Sequence, residues 1–219
     1  MQAVRAAGAF FGKKGQVMKN MKRLCCGMAL SFIVAAQVSH AENNNGDFVI
    51  RGIGYQKCSY INEDYSRNRL KQIELSSWIS GYVTYANRAT ASIIDWLPVQ
   101  NTSQFAALAS ILCKSHPGYR IQDVVDALGK HFAPYYVHNK DDFKVLKSET
   151  HQVSLRSETI QVVQSLLAEQ GFLSEENVDG KYGPQTAQAI LEFQEKSGSM
   201  QKTGIPDILT LYTLAQQNK

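Results

Sequence analysis

The 219-residue chain is long enough for one medium domain or two small ones, and its 44% hydrophobic content suits a globular protein, not a collagen, coiled coil or disordered chain. The formal charge of +4 sits at one end: six of the 23 Lys and Arg residues precede Glu42, where no Asp or Glu occurs, leaving 17 basic against 19 acidic residues beyond. The remaining net charge of −2 lacks the basic excess that nucleic-acid binding would want, so no nucleic-acid partner is expected.

The first 41 residues read as a secretory signal. Lys13, Lys14, Lys19, Lys22 and Arg23 form a basic run, Met28 to Ala36 an apolar one, and Val38-Ser39-His40-Ala41 a small-x-small exit. The apolar run is shorter than the roughly 20 residues that span a bilayer, so no membrane span is expected in the mature chain. Met18 or Met21 would begin a more typical leader, so a true start at one of them is the expectation. Cys25 and Cys26 precede the apolar run, whereas a lipid-anchored Cys follows it. Export leaves Cys58 and Cys113, and an even count in an oxidising compartment favours a disulfide over a Cys nucleophile or metal ligand. The expected location is periplasmic.

A first unit is expected over residues 48–138. Phe48 to Tyr55 reads as a short strand or extended arm. Asn62 or Asp64 caps a helix whose apolar face runs through Leu70, Ile73, Leu75, Trp78, Ile79, Tyr82, Val83 and Ala86. Gly81 inside it is read as a mark of close packing. Thr102 or Ser103 caps a second helix with Phe105, Leu108, Ile111 and Leu112, stopped by Pro117-Gly118, and a third runs from about Ile121 to Phe132. Residues 139–154 are charged, with little apolar periodicity, and read as a linker with at most a turn of helix.

A second unit is expected over 155–217. Its first helix starts after Ser157, turns Ile160, Val163, Leu166 and Leu167 inward, and stops at Gly171. Asp179-Gly180 is a tight-turn pair, and Gly183 is expected to need positive φ. Pro184 suits the first position of the next helix, which ends near Gly198; a last helix follows Gly204-Ile205-Pro206-Asp207 and buries Leu211 and Leu214. The whole reads as mainly α, with two small helical domains, the second a three-helix bundle.

Four motifs occur in order over about 60 residues: Gln164 with Leu167, Asp179-Gly-x-Tyr-Gly-Pro-x-Thr186, Ala189-x-x-x-Phe193-Gln194, and Thr203-Gly204 with Asp207, Thr210 and Leu214. In these the segment resembles the three-helix peptidoglycan-binding domain attached to many wall hydrolases and other envelope proteins. The resemblance implies peptidoglycan as partner. The expected contact set is Asp179, Gly180, Tyr182, Gly183, Gln185, Thr186, Gln188 and Gln194. The turn offers backbone N–H groups at a helix start to carboxylate or acyl oxygens, Tyr182 a flat face with a hydroxyl tip, and the glutamines further hydrogen bonds. Beside this stands a purely structural reading, in which Asp179-Gly180 builds the turn, Tyr182 and Phe193 are core, and Gln194 braces the fold.

No catalytic pattern stands out. Of His116, His131, His138 and His151, the pair His131 and His138 are seven apart, but Pro134 intervenes and no carboxylate sits at ligand spacing to both; Cys113 is claimed by Cys58, and the Ser elbow is absent. Neither metal nor cofactor is called for. Cys58, Trp78-Ile-Ser-Gly-Tyr82, Asn87, Cys113 and His116-Pro117 weakly resemble small helical periplasmic proteins of the acid-chaperone and secretion-immunity type. Trp78 and Tyr82 share a helix face and are read as core, with a groove for a protein partner as the lesser reading. The expectation is an exported, non-catalytic peptidoglycan-binding protein that anchors a helical interaction domain to the wall. The alternatives are an immunity or inhibitor protein against a wall-degrading enzyme and, behind it, a wall hydrolase.

Overall fold

The computed structural model of the protein describes residues 48–62, 64–148, 151–198 and 201–217; the signal segment expected over 1–41 lies outside them. The fold is mainly helical. After a 3-10 turn at Gly52–Tyr55 come α1 (Ser59–Asn62), α2 (Arg69–Ala89), α3 (Thr102–Ser115) and α4 (Ile121–Phe132). A hairpin of β1 (Lys144–Lys147) and β2 (Gln152–Leu155) leads to α5 (Ser157–Glu169), α6 (Pro184–Ser197) and α7 (Ile208–Gln216). Among the described residues no helix is long and apolar enough to cross a membrane.

Helix starts follow side-chain chemistry. Asn68, not Asn62 or Asp64, caps α2: its Oδ1 accepts the Lys71 N–H at 3.2 Å. The earlier candidates serve other ends, since Asn62 Nδ2 donates to the Cys113 carbonyl and Asp64 receives Asn68 Nδ2 and Lys71 Nζ. Asn101 caps α3 by accepting the Ser103 N–H at 2.9 Å, so Thr102 is already helical. Such an oxygen satisfies one of the N–H groups that a helix start leaves unbonded.

Leu75, Ile79 and Val83 form the buried stripe of α2, while Leu70 is 79% exposed and Ile73 47%. The inward face expected at the start of this helix therefore begins a turn later. Cys58 and Cys113, both fully buried, form a disulfide that ties α1 to the end of α3. Trp78 stacks on Tyr82 with ring centroids 5.3 Å apart, and its Nε1 donates to the Arg51 carbonyl at 2.8 Å. The Tyr82 hydroxyl donates to Asp126. Aromatic contacts continue through Trp96, Phe105 and Phe132 to Tyr212 of α7.

Two helical glycines have opposite surroundings. Gly129 on α4 lies against the Trp96 indole, and a Cβ there would fall 1.7 Å from Cζ2 and 1.8 Å from Cη2. Gly81 on α2 is exposed, and a Cβ there would meet nothing within 4 Å, so it marks no close packing. Gly129→Ala should cost about 2 kcal/mol through overpacking. Gly81→Ala should stabilise by up to about 1 kcal/mol through helix propensity. Denaturant melts of the two variants, moving in opposite directions, check the pair.

The expected linker is structured. β1 and β2 pair antiparallel with Leu146 opposite Val153, and Leu146, Val153 and Leu155 are buried. Asp141 Oδ2 accepts the Ser157 N–H at 2.8 Å, capping α5 from outside the helix. Glu158 Oε2 accepts the His138 and Asn139 N–H groups at 3.0 and 2.9 Å. Partial burial works against the ionised Glu158, yet these N–H donors hold its carboxyl below the ordinary value of 4.5. Buried residues from α2 to α7 belong to one continuous core, and the described residues from Phe48 onward to one compact unit. A loose tether between two independent bodies is not what this segment forms.

Candidate functional site

The C-terminal bundle is held by two copies of one hydrogen-bond device. In the first, Gln164 on α5 is fully buried. Its Oε1 accepts the N–H groups of Asp179 and Gly180 at 3.1 and 2.7 Å. Its Nε2 donates to the Lys181 carbonyl and to Thr186 Oγ1, each at 3.0 Å. In the second, Gln194 on α6, 1% exposed, accepts the N–H groups of Thr203 and Gly204 at 2.8 and 3.0 Å. It donates to the Ile205 carbonyl and to Thr210 Oγ1 at 3.1 and 3.0 Å. In each copy a helix glutamine clamps a glycine turn and reaches the threonine that opens the next helix. A primary amide suits this task because it accepts and donates at once.

The turn glycines have left-handed backbones, with φ of 72° at Gly180 and 67° at Gly204. A Cβ at Gly180 would lie 3.1 Å from the Ser157 carbonyl oxygen, so the turn also needs a bare backbone. Gly183 differs from expectation. It has φ −131° and ψ −178°, and a Cβ there would meet nothing within 4 Å. Pro184 explains this, because a proline pushes the residue before it into the extended region. The positive φ required of this loop is met at Gly180.

The eight residues expected as contacts therefore divide. Gly180, Thr186 and Gln194 are buried parts of the clamps. Tyr182 is half-buried, its hydroxyl donating to the Gly204 carbonyl at 2.6 Å and tying one turn to the other. Burial pushes that hydroxyl above its ordinary pKa of 10.0. Asp179, Gln185 and Gln188 are exposed, with Gly183 partly so beside them. The Lys181 N–H and Gln164 amide hold the Asp179 carboxyl below 3.8. Gln185 and Gln188 are three apart on α6 and face the same way, and Gln188 Nε2 donates to Glu192 at 2.9 Å. The solvent-accessible groups of this segment are thus a carboxylate, two amides on one side of α6, an extended backbone at Gly183 and part of a phenol.

The bracing role of Gln164 and the paired function of Thr186 and Thr210 escape a reading by periodicity. A recurrence signals them: each turn glycine is followed six residues later by the threonine, as Gly180 and Thr186, then Gly204 and Thr210.

Residues 156–214 match the family model described as "Putative peptidoglycan binding domain". In comparisons with curated proteins and with solved structures, nothing matches the chain.

Proposed function

Starting from residues 156–214 as a peptidoglycan-binding domain, we propose that the chain is an exported, non-catalytic protein of the periplasm that holds its N-terminal helical unit against the wall. Three things support this reading: the matched segment, the signal-like residues 1–41, and the division of the loop residues into buried braces and an outward face. The last carries the mechanism. With Gln164 and Gln194 fixing both turns from inside, the backbone that carries Asp179 and Gly183 is held in place, and little backbone freedom is lost on binding. Amides and hydroxyls of murein can exchange hydrogen bonds with these glutamines and with the Gly183 backbone, and Asp179 can receive ammonium or amide donors.

Structural roles for three polar side chains support the non-catalytic part of this reading. Glu158 receives two backbone N–H groups and His138, Asp126 receives the Tyr82 hydroxyl, and His131 lies against the Tyr212 carbonyl. The folded chain should sediment with purified sacculi and leave no clearing in a sacculus zymogram. Clearing that disappears on substitution of a His or Glu would replace this reading with that of a wall hydrolase.

A further inference from the structure

We propose that the groove between α2 and α3 is a second ligand site, taking a short carboxylate-bearing peptide with small apolar side chains. Its source is the stem peptide of the wall, an identification that rests on the function proposed above.

The groove has a volume of about 550 Å³, within the range of small-ligand sites. Its walls have a direction. Ser80 Oγ and Thr102 Oγ1 lie 2.8 Å apart, and the Cys113 carbonyl accepts from Asn62, just before α2. The two helices therefore run antiparallel, which brings Arg69 near the start of α2 to the same end as Lys114 near the end of α3. Both cations line the groove, both are exposed, and neither forms an ion pair among the described residues. No carboxylate is among the described residues that line it. Asp64 nearby is already paired with Lys71 at 2.7 Å.

Beyond the cationic end, Ile73, Ala107 and Ile111 supply apolar wall, with Ile73 47% and Ile111 44% exposed. Further along, Ser76 and Ser103 present hydroxyl oxygens whose protons go to the Ile73 carbonyl and Asn101 Oδ1. These oxygens are left as acceptors for amide N–H groups. Cations at one end, methyl-sized apolar wall in the middle and acceptors at the other describe an extended peptide with a terminal or side-chain carboxylate and alanine-like side chains. A sugar chain would leave the cations and the isoleucines without partners. An uncharged apolar helix would leave two desolvated cations unpaired.

The test uses the full chain and the synthetic tetrapeptide Ala-γ-Glu-Ala-Ala, titrated by calorimetry or NMR. Wild type should bind, Arg69→Glu/Lys114→Glu should bind about tenfold more weakly or worse, as expected on losing two exposed ion pairs, and a fully amidated peptide should lose affinity likewise. Should the charge-reversed chain lose its wild-type circular dichroism, Arg69→Ala/Lys114→Ala replaces it, with a smaller loss expected. No binding by wild type, equal binding by the variants, or tighter binding of the α-linked isomer overturns the proposal, the last by pointing to a protein segment as occupant. The same variants are sedimented with sacculi. Retention in the pellet with no peptide binding sinks the groove alone, while absence of wild type from the pellet sinks the wall-anchoring reading instead.

Discussion

Gln194→Ala should lower unfolding stability by about 4 kcal/mol, because it strips partners from several buried groups at once. The Thr203 and Gly204 N–H groups lose their acceptor, and the Ile205 carbonyl and Thr210 Oγ1 lose a donor. Each buried group left without a partner costs about 1–3 kcal/mol, and partial relaxation of the turn recovers some of the total. Gln194→Glu should not rescue the loss. A carboxylate still accepts the two N–H groups but cannot donate to Ile205, and it places a charge where only 1% of the residue is exposed. Gln188→Ala on the same helix is the control: it is exposed, its side chain donates to Glu192, and its loss should change stability by no more than about 0.5 kcal/mol. Equal melts for Gln194→Ala and wild type would show that the clamps do not hold the bundle.

Cys113→Ser should cost a similar amount for a different reason. The disulfide to Cys58 closes a loop with a sequence separation of 55, and on the chain-entropy account this restricts the unfolded chain by about 4 kcal/mol. The melting temperature should fall by about 10 °C at this chain length. Because α3 and α4 pack on α7 and the core is continuous, the fall should appear in a single transition that carries the C-terminal helices with it. A melt resolved into two transitions, only one of them shifted, would mean that the two halves unfold separately.

Elements governed by local chemistry were legible in the sequence. Pro184 marks a helix start, Gly171 and Gly198 have the positive φ of helix stops, and Ile121–Phe132 is the helix its apolar spacing predicts. Elements governed by tertiary context were not. The hairpin strands are four residues each, and Lys144 and Lys147 mask the one buried position of the first, Leu146. Leu70 and Ile73 continue the apolar period of α2 yet lie along its exposed first turns, since period alone does not say where a neighbouring helix ends. The close approach of Gly129 to Trp96 depends on residues 33 apart and has no local signal. In the candidate site, the glycine turns and the helix starts were readable. The separation of brace from contact was not, because glutamine and threonine look alike in sequence whether buried or exposed.

The most direct measurement is co-sedimentation of the folded full chain with purified sacculi, comparing wild type with Gly183→Trp. The extended backbone and open space at Gly183 admit a large side chain without disturbing the fold, so the substitution obstructs the outward face and little else. Wild type should pellet with the sacculi, and Gly183→Trp, with unchanged circular dichroism, should bind about tenfold more weakly, a loss of roughly 1.4 kcal/mol. Folded wild type remaining in the supernatant would contradict wall binding, and equal pelleting of the variant would move the binding surface away from this loop.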